Sequence, residues 1–453
     1  MRLQRLWLGD FRSYAAAVLE PAPGLTAIVG ANGQGKSNLL EAVAWLATLA
    51  SFRGAPDHAL VRVGAAEAVV RAEVVGDAPV HRVAPLPAAP GDGVGAEPDE
   101  AVASGRVVLL EALIRANGRD QVLVNRQKLR RARDLLGSVR VTVFSPDDLA
   151  LVKGGPGERR RLLDDALVAL AIKHDALRGD LDRVLRQRGT LLRQAGGRAT
   201  PEVTATLDVW DAKLAELGEA TGRARAALVD RLQPAASTAY DQVATASAHV
   251  TLGYDPPWRR HDGGLAGALE AARIEDLRRG VSTVGPHRDE LELAVDGMPA
   301  RTHASQGEQR SLALALRLAI HAVVTDVTGS SPILLLDDVF SELDPARSHA
   351  LLEHLPPGQA LLTTAGPLPE GATPGLVVRV EGGDLLEDDG LRGGRVHGAG
   401  RQGAGVEGAG VEGVGLAGLG LAGGRVHGAG VEGAGAGPVA ATVDDGEAGA
   451  GAA

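Results

Sequence analysis

The chain has 453 residues, of which 45% are hydrophobic, and a formal net charge of −10. It is long enough for two or three domains, or for one large domain with an insertion. The absence of cysteine excludes disulfides and thiolate metal sites and favours a reducing, cytoplasmic environment. The first residues do not follow a signal-peptide pattern, and no uncharged apolar run reaches membrane-spanning length, so we expect no membrane association.

The negative charge is concentrated near the end of the sequence. Residues 381–453 contain 4 basic and 11 acidic residues and carry −7 of the net charge. The remainder includes a basic stretch that consists of Arg126, Lys128, Arg130, Arg131, Arg133, Arg140, Lys153, Arg159, Arg160 and Arg161. Overall acidity therefore does not exclude a positive face, although we expect any affinity for DNA to be weak and sensitive to salt.

The first chemical motif fits the pattern G-x-x-x-x-G-K-[ST] and consists of Gly30, Ala31, Asn32, Gly33, Gln34, Gly35, Lys36 and Ser37. It lies between a strand-like run at 25–29 and a helix-like run at 37–43. That setting indicates a phosphate-binding loop and not a Gly-rich turn that merely caps a helix. Backbone N–H groups of such a loop face the phosphates, Lys36 adds positive charge, and the Ser37 hydroxyl can ligate Mg²⁺. The motif predicts that the chain binds a nucleoside triphosphate.

Two segments are predicted to lack regular structure. Residues 75–105 are rich in Pro, Gly, Ala and Asp, which indicates a long exposed loop between strands. Residues 390–453 are a low-complexity tail of Gly, Ala and Val in which Gly-Gly-Arg-Val-His-Gly-Ala-Gly occurs twice. Such a composition buries too little apolar surface to offset backbone entropy, so we expect this tail to be disordered.

A helical hairpin is predicted within residues 158–275. Apolar residues recur at alternating four- and three-residue steps over 203–228, which is typical of a coiled-coil seam, with Thr221 as its polar exception. A second apolar helix covers 177–191, and a Gly- and Pro-containing break at 196–201 separates the two. Each arm would have about 35 residues and a length on the order of 50 Å. A plain helical bundle packed on the core is the alternative.

A second chemical motif is the apolar run 333–336, which ends in Asp337 and Asp338. The pattern predicts a buried strand whose end holds Mg²⁺ through Asp337 and orients or deprotonates the attacking water through Asp338. Upstream, Ser305, Gln306, Gly307 and Gln309 begin a long helix-like run, and a helix N-terminus of this kind is a second anion site. Because one nucleotide rarely needs two phosphate grips, we expect the second grip to complete the site of another copy across a dimer.

Together these motifs resemble those of the ATP-binding-cassette (ABC) ATPases of DNA repair, and within them the RecF family. The resemblance covers most of residues 1–365, and its markers are residues 11–14, 33–42, 51–53, 144–149, 153–156, 159–161, 283–289, 305–309 and 336–344. It implies an α/β fold, an ABC-ATPase-like head with a mixed β-sheet, flanking helices and an inserted helical arm. The head would comprise 1–157 and 276–389, the arm 158–275 and the tail 390–453.

The resemblance also implies a function. Such a protein would be an ATP-dependent homodimer that clamps DNA at gaps and single-strand/double-strand junctions and works with RecR and RecO to load recombinase. Hydrolysis would be weak and would serve as a switch. By the same analogy, Lys36, Ser37 and Asp337 hold the nucleotide and Mg²⁺, and Asp338 supports hydrolysis. The γ-phosphate bound by the other subunit is contacted by Ser305, Gly307 and Gln309. Asp344 belongs to the dimer contact.

The sequence departs from other cassette ATPases in three places. Residues 144–146 lack the glutamine that senses Mg²⁺, residues 361–365 lack a switch histidine, and Asp338 replaces a common glutamate. Alternatives are an ATP-driven transporter subunit, which the long spacing between Lys36 and Ser305 disfavours, and a structural-maintenance (SMC-like) or nuclease-coupled ATPase.

Three interpretations of single residues stay open. Arg159, Arg160 and Arg161 form either a solvated helical turn or a contact with DNA or another domain. His287 belongs to a turn and has either a structural role beside an Arg288–Asp289 pair or a contact with nucleotide or DNA. Trp210 belongs to the seam and is expected in the core and not in a base-stacking surface.

Overall fold

The structure, a computed structural model, describes residues 1–76, 105, 107–387 and 396–398. The predicted loop at 75–105 and the predicted tail lie outside these residues except at 75, 76, 105 and 396–398. The described strands are β1 Arg2–Phe11, β2 Tyr14–Leu19, β3 Leu25–Val29, β4 Glu67–Val75, β5 Val107–Arg115, β6 Gln121–Val124, β7 Gln127–Lys128, β8 Val141–Phe144, β9 Val250–Gly253, β10 Glu292–Val295, β11 Met298–Pro299, β12 Ile333–Asp337, β13 Ala360–Thr364, β14 Leu376–Glu381, β15 Asp384–Glu387 and β16 Val396–Gly398. The described α-helices are α1 Lys36–Thr48, α2 Leu149–Lys153, α3 Pro156–Leu170, α4 Lys173–Ala195, α5 Pro201–Val243, α6 Gly264–Arg279, α7 Ala300–His303, α8 Gln306–Thr328 and α9 Pro345–Glu353.

A six-stranded sheet brings the two chemical motifs together. Its order is β15-β14-β3-β13-β12-β8, and all its pairs are parallel except β14–β15. The register aligns Asp337 of β12 with Thr363 of β13, and Thr363 with Ile28 of β3. Because parallel strands end at the same edge, the loop after β3 and the carboxylates after β12 lie on one side of the sheet, where ligands of open α/β sheets bind.

Both faces of this sheet are buried, which explains the continuous apolar run before Asp337. Leu334 and Leu336 face a core that includes α5 and α8, whereas Ile333 and Leu335 face a second core that includes α1 and the strands around it. In the described part of the chain, α8 alone has the length and apolar composition of a membrane span, and most of it is buried in the first core.

Two further sheets are antiparallel. The larger has seven strands in the order β16-β2-β1-β4-β5-β6-β7, and the smaller has three in the order β11-β10-β9. Residues 396–398, which belong to the segment predicted to be disordered, instead pair with β2. That prediction is therefore wrong for these three residues, because the edge of β2 offers free backbone hydrogen-bonding groups to a passing chain.

Helices α4 and α5 form the predicted hairpin, with the break at Gly196 and Pro201, but the arms are unequal. They have 23 and 43 residues, in place of about 35 each. The apolar seam of α5 continues past Thr221. The Thr221 hydroxyl donates to the Leu217 carbonyl 2.9 Å away, so this polar side chain needs no partner outside its own helix. Trp210 packs at the edge of the arm core and is only half-buried.

The long helix α5 takes part in two cores. Its first half packs with α4 and α6 through residues such as Leu214, and its second half packs with α8 through residues such as Leu232. Residues Met1–Gly400 accordingly group as one compact unit, and the boundaries drawn at 158 and 276 stay predictions.

Candidate functional site

The phosphate loop between β3 and α1 takes backbone angles that favour glycine. The φ angles of Gly30 and Gly35 are 152° and 112°. A Cβ on Gly35 would lie 2.4 Å from Ser13 Oγ, and one on Gly30 would lie 2.4 Å from the Val380 carbonyl oxygen. Glycine is therefore required at both positions by the backbone angles and also by the lack of space for a Cβ.

Lys36 is the first residue of α1 and turns back over the loop. Its Nζ donates to the carbonyl oxygens of Gly30 at 2.8 Å and Ala31 at 2.9 Å. Burial lowers the pKa of Lys36, while the negative charges of Asp338 and Asp337 act in the opposite direction. The ammonium group is thus within electrostatic reach of both the loop and the acidic end of β12, which suits a ligand rich in negative charge.

The other residues of the loop differ in their exposure. Ala31, Asn32 and Gly33 are exposed, and Ser37 is half-buried in the first turn of α1. Gln34 turns away from the loop, because its Oε1 accepts a 2.6 Å hydrogen bond from the N–H of Gly382 in the β14–β15 turn. The Gln34 side chain therefore ties the loop to the neighbouring strands.

Thr363 organises the acidic end of β12. Its hydroxyl donates to Asp337 Oδ1 at 2.8 Å and accepts from the N–H of Asp338 at 3.0 Å. Asp337 is 7% exposed, and Asp338 has a positive φ of 49°. In the sequence, residue 363 stands out only because it belongs to a segment that lacks a switch histidine. The in-register pairing of β12 and β13 places its hydroxyl between Asp337 and Asp338.

The carboxylate oxygens of this site fit a hard cation. Asp338 Oδ1 is buried and has no hydrogen-bond partner among the described residues, and a buried acceptor of this kind normally has one. Asp337 keeps Oδ2 for a further ligand, since Oδ1 is taken by Thr363. Carboxylate and hydroxyl oxygens are the ligands that Mg²⁺ prefers, usually together with water and substrate phosphates. Asp337 and the Ser37 hydroxyl thus provide suitable ligands, and Asp338 adds a second carboxylate beside them.

A buried ion pair supports the loop from behind. Glu41 of α1 is fully buried and accepts from Arg12 Nη2 at 2.7 Å and Nε at 2.8 Å. Ser51 donates to the same carboxylate at 2.5 Å. The family markers at 11–14, 33–42 and 51–53 therefore meet at one carboxylate, and their shared role is to hold α1 in place.

The segment after Arg12 contacts the loop directly. The Tyr14 hydroxyl donates to the Gly35 carbonyl at 3.0 Å, and Asn38 Nδ2 donates to Ser13 Oγ at 3.0 Å. Burial raises the pKa of Tyr14, which keeps the phenol protonated and able to donate. The first strand pair therefore fixes the entry to α1.

The second predicted grip lies at the start of α8. Ser305 is the N-cap, accepts from the Glu308 N–H at 3.3 Å and donates its own N–H to Glu308 Oε2 at 2.7 Å. Ser305 and Gln306 are exposed. In the part of the chain that the structure describes, no hydrogen bond or ion pair joins residues 305–309 to the phosphate loop. Among the described residues, the two grips are therefore not bonded to each other within one chain.

The predicted γ-phosphate contact of Gln309 is not supported by its position. Gln309 is buried, and its Nε2 donates to the carbonyls of Ala300 at 3.0 Å and Arg301 at 3.2 Å. The residue lies in the first turn of α8 but on its inner face, where it holds the short helix α7. We correct its role to that of a support for the turn before Ser305.

Arg347, which the sequence analysis did not single out, covers the start of α8. Its Nη2 would lie 2.5 Å from a Cβ on Gly307. Its Nε donates to Ser311 Oγ at 3.1 Å, Nη2 donates to Thr245 Oγ1 at 3.3 Å, and Nη1 forms an ion pair with Asp344. Asp344 is the N-cap of α9, and these contacts keep its pKa below the usual range. One guanidinium group thus joins α8, α9 and the residues after α5.

The predicted DNA contacts at 159–161 divide into different environments. Arg159 is 5% exposed and pairs with Glu290 through Nε at 2.6 Å and Nη2 at 3.0 Å. It is therefore an internal contact and not a DNA contact. Arg160 is half-buried and donates to the Asp289 carbonyl at 2.7 Å, whereas Arg161 is exposed. Only Arg160 and Arg161 stay available to a ligand.

The rest of the basic stretch forms an exposed patch. The hairpin β6–β7 and the residues after it place five cations at the surface, namely Arg126, Lys128, Arg130, Arg131 and Arg133. The turn has positive φ angles at Asn125 and Arg126, the second of which is uncommon for arginine. We refer to these five residues as the hairpin patch.

The turn that contains His287 is held by internal hydrogen bonds. His287 Nε2 and Arg288 both contact the Ser282 carbonyl, at 3.0 Å and 3.2 Å. The predicted Arg288–Asp289 pair is wrong, since Asp289 accepts instead from Tyr254 at 2.5 Å and Trp258 at 2.8 Å.

Comparison with known proteins agrees with this geometry. The sequence profile of the family described as RecF/RecN/SMC N terminal domain matches residues 2–360. The DNA replication and repair protein RecF of Streptomyces avermitilis is 42% identical over 378 residues, 81% of this chain and 93% of the relative. That of Beutenbergia cavernae is 40% identical over 422 residues, 85% of this chain and 99% of the relative.

Solved structures give the same assignment. The structure of the recombination mediator protein RecF-ATP in the RecFOR pathway has a TM-score of 0.73 at 26% identity, covering 85% of this chain and 97% of that one. An SMC head bound to the C-winged helix domain of ScpA has a TM-score of 0.50 at 18% identity, which shows a likeness of fold alone.

The mixed sheet, the phosphate loop at its edge and the acidic end of β12 define an ABC-type ATPase head of the RecF/RecN/SMC class. RecF relatives that are about 40% identical over most of their length narrow this class further. The chain belongs to the RecF family of DNA replication and repair proteins.

Proposed function

We propose that this protein is an ATP-dependent DNA-binding protein of replication and recombinational repair, and that ATP drives its dimerisation. The observation that carries the proposal is the separation of its two phosphate grips. The loop around Lys36 meets Asp337 and Asp338 at one sheet edge, whereas Ser305 opens to the surface elsewhere. An exposed helix N-terminus with no ligand of its own in the same chain suits the nucleotide of a second copy.

Each nucleotide would be held by one subunit and closed by its twin. The N–H groups of the loop and Lys36 bind the phosphates, and Ser305, Gln306 and the Gly307 amide approach from the second subunit. Asp344 lies beside Arg347 at the same surface and would contribute to the dimer contact. Gln309 is left out of this set because it is buried.

Magnesium would be held by Ser37 and Asp337, and when bound it would neutralise charge on the phosphates. Thr363 fixes the Asp337 carboxylate through Oδ1. Asp338 has one buried oxygen without a protein partner, which is free to accept a proton or a hydrogen bond from the attacking water. Hydrolysis is therefore supported by Asp338, with Ser37 and Asp337 as the magnesium ligands and Thr363 as the residue that fixes Asp337.

Hydrolysis would serve as a slow, DNA-stimulated switch. The carboxylate of Asp338 is shorter than the glutamate of many cassette ATPases, and its backbone is held at a positive φ by the Thr363 contact. A short side chain on a fixed backbone has few ways to reach the water, which favours slow turnover and a long-lived ATP state.

The DNA would be gapped or contain a single-strand/double-strand junction, and RecO and RecR would be partners in recombinase loading, in the cytoplasm. The RecFOR context is that of the solved relative. Arginine-rich surfaces suit contact with the phosphate backbone. The hairpin patch and the exposed Arg161 supply such groups, whereas Arg159 is excluded by burial.

Sedimentation with ATP and Mg²⁺ tests the proposal. We expect the wild type to dimerise, Lys36→Ala to lose both ATP binding and dimerisation, and Ser305→Ala to keep ATP binding but lose the dimer. The matched control is Ser341→Ala, which changes an exposed serine near Asp338 that bonds only a backbone carbonyl. A wild type that stays monomeric at micromolar concentration with ATP would contradict the proposal.

A DNA titration separates this function from its alternative. Junction, duplex and single-stranded DNA are titrated with and without ATP, and linear DNA is incubated with Mg²⁺ or Mn²⁺ to detect cleavage. We expect ATP to tighten binding to the junction and no cleavage to occur. Degradation of the DNA would favour a nuclease-coupled ATPase instead.

A further inference from the structure

A second polar cavity lies away from the phosphate loop. It has a volume of about 520 Å³ and lies between α3, α4 and α5, with the turn at His287 at one end. Four arginines line it, together with two histidines and a row of leucines from α4. The first turn of α3 also faces it through Gly157, and no side chain caps the amides of that turn. The cavity is therefore lined by hydrogen-bond donors together with two aspartates and an apolar side.

Two histidines in this cavity lack partners. His174 is 9% exposed, and both of its ring nitrogens are buried without a hydrogen-bond partner among the described residues. His287 has the same deficit at Nδ1. Buried imidazole nitrogens are nearly always hydrogen-bonded, so these atoms call for a ligand or ordered water in the cavity they line.

Most of the arginines that line the cavity are paired with carboxylates. Arg225 is neutralised by Asp164 at 2.8 Å, and Arg178 pairs with Asp165 at 2.9 Å. Asp182 also lines the cavity, from its exposed side, and Arg161 pairs with Glu158 at the surface.

Arg160 differs from these arginines. Its only hydrogen bond among the described residues goes to the neutral carbonyl of Asp289. Burial and the nearby Arg225 charge lower the pKa of Arg160, while the charges of Glu290, Asp289 and Asp164 act in the opposite direction without bonding it. Arg160 and His174 are the two groups that a ligand would satisfy.

We propose that this cavity binds a phosphate monoester, with Arg160, His174 and the first-turn amides of α3 as its donors. A dianionic terminal phosphate offers three oxygens, which match donors that approach from two helices, α3 with Arg160 and its first-turn amides and α4 with His174. An internal phosphodiester carries a chain on both sides and would have to pass His174, which is 9% exposed. The ligand is either a free phosphate or the phosphorylated end of a nucleic-acid strand.

The position of the cavity would allow the phosphorylated end of a nucleic-acid strand to reach it. A neighbouring groove of about 490 Å³ is lined by Arg131 and Arg133 of the hairpin patch and shares Arg178 with the cavity. A strand that follows these arginines would therefore end beside Arg160. This inference does not depend on ATP-driven dimerisation, because every donor belongs to one chain.

Calorimetric titration with inorganic phosphate tests the site. The full chain carries Lys36→Ala, which removes the phosphate loop as a competing site and makes the result independent of dimerisation. In this background we expect saturable binding of phosphate, which Arg160→Gln weakens about tenfold or more. His174→Gln, which keeps a polar side chain, should also weaken it.

The matched control is Arg183→Gln on α4, which removes an exposed arginine outside the cavity. It should change the affinity less than about twofold, since the charge it removes is screened by solvent. Circular dichroism verifies that each variant is folded. Absence of binding in the Lys36→Ala chain, or equal affinity in all the variants, would overturn the proposal.

Short DNA strands distinguish the two sources. Strands with a 5′-phosphate, a 3′-phosphate or hydroxyl ends are titrated in the same background. A preference for a phosphorylated end that Arg160→Gln abolishes assigns the site to strand ends. Equal binding of all strands beside Arg160-dependent binding of inorganic phosphate assigns it to a free phosphate.

Discussion

The phosphate loop and the start of α8 differ in how far one chain completes them. Around the loop, the supporting contacts come from within the chain, through Tyr14, Glu41, Thr363 and the two aspartates. At the start of α8, Ser305 is exposed, and Arg347 covers the neighbouring Gly307. The phosphate loop can bind nucleotide in a single copy of the chain, whereas the start of α8 contacts a nucleotide only when that nucleotide is bound by a second copy. Substitutions around the loop should therefore change stability and ATP hydrolysis, whereas substitutions at the start of α8 should change dimerisation.

The largest expected effect is on the support of the loop. Arg12→Ala leaves the fully buried Glu41 without its partner, and an uncompensated buried charge costs about 3–5 kcal/mol. Urea unfolding measures this loss. The control Arg62→Ala breaks the half-exposed pair with Asp10 and should cost less than about 1 kcal/mol. Equal effects of the two variants would mean that Glu41 does not depend on Arg12.

The next effect concerns chemistry without assembly. Thr363→Val keeps the shape of the side chain but removes the hydroxyl that orients Asp337 and receives the Asp338 N–H. We expect ATP hydrolysis to fall about 10- to 100-fold, while ATP still binds. Thr364→Val is the control, because that hydroxyl contacts only Gly366. Steady-state phosphate release decides between them, and an unchanged rate in Thr363→Val would remove Thr363 from the site.

Arg347 offers a test of the other region. Arg347→Ala frees Asp344, Ser311 and Gly307 from one guanidinium group, so the surface around Ser305 loses its order. We expect the ATP-dependent dimer to weaken about tenfold, with ATP affinity unchanged. Arg301→Ala, an exposed arginine on α7, serves as the control in sedimentation. A loss of ATP affinity in Arg347→Ala would show that the two regions are coupled within one chain.

The smallest effect is a dependence of stability on pH. His321 of α8 is buried between Thr142 at 3.1 Å and Ser331 at 3.0 Å. Burial, and then the N-terminal ammonium, lower its pKa from 6.5 to about 4. Below pH 6.5 the unfolded chain binds a proton that the folded chain refuses, so stability falls with pH between about 6.5 and 4.

This loss should be on the order of 1 kcal/mol at pH 5.5. Urea unfolding at pH 7.5 and 5.5 measures it. The variant His321→Gln keeps a polar side chain and should show a smaller difference between the two pH values than the wild type. An unchanged difference would assign the pH dependence to other groups.

Patterns within a few residues predicted much of the fold. The strand at 25–29 was predicted with the bounds that the structure gives, and the break at Gly196 and Pro201 was placed correctly. These elements depend on local alternation, on glycine and on proline. The phosphate loop and the carboxylates after β12 could be recognised because the motif residues are adjacent in the chain.

Contacts between distant residues could not be predicted in this way. Thr363 meets Asp337 only because β13 lies beside β12, and Arg347 covers Gly307 only through the packing of α9 on α8. Gln309 lies within a motif, but the helical turn directs it inward, where the carbonyls of α7 bind it. The unequal arms have the same origin, since α5 continues past the arm because the head core also buries it.

The 43 residues of α5, which include Pro234 inside the helix, span about 65 Å. One end belongs to the arm, and the other ends beside the Ser305 surface, where Ser311 Oγ lies 3.5 Å from the Val243 carbonyl and Arg347 contacts Thr245. A tilt of the arm tip would therefore move the groups that order the dimer surface. A ligand bound to the arm would in this way change how readily the second subunit closes the nucleotide site. Distances between spin labels at the arm tip and near residue 347, measured with and without ATP, would report that motion.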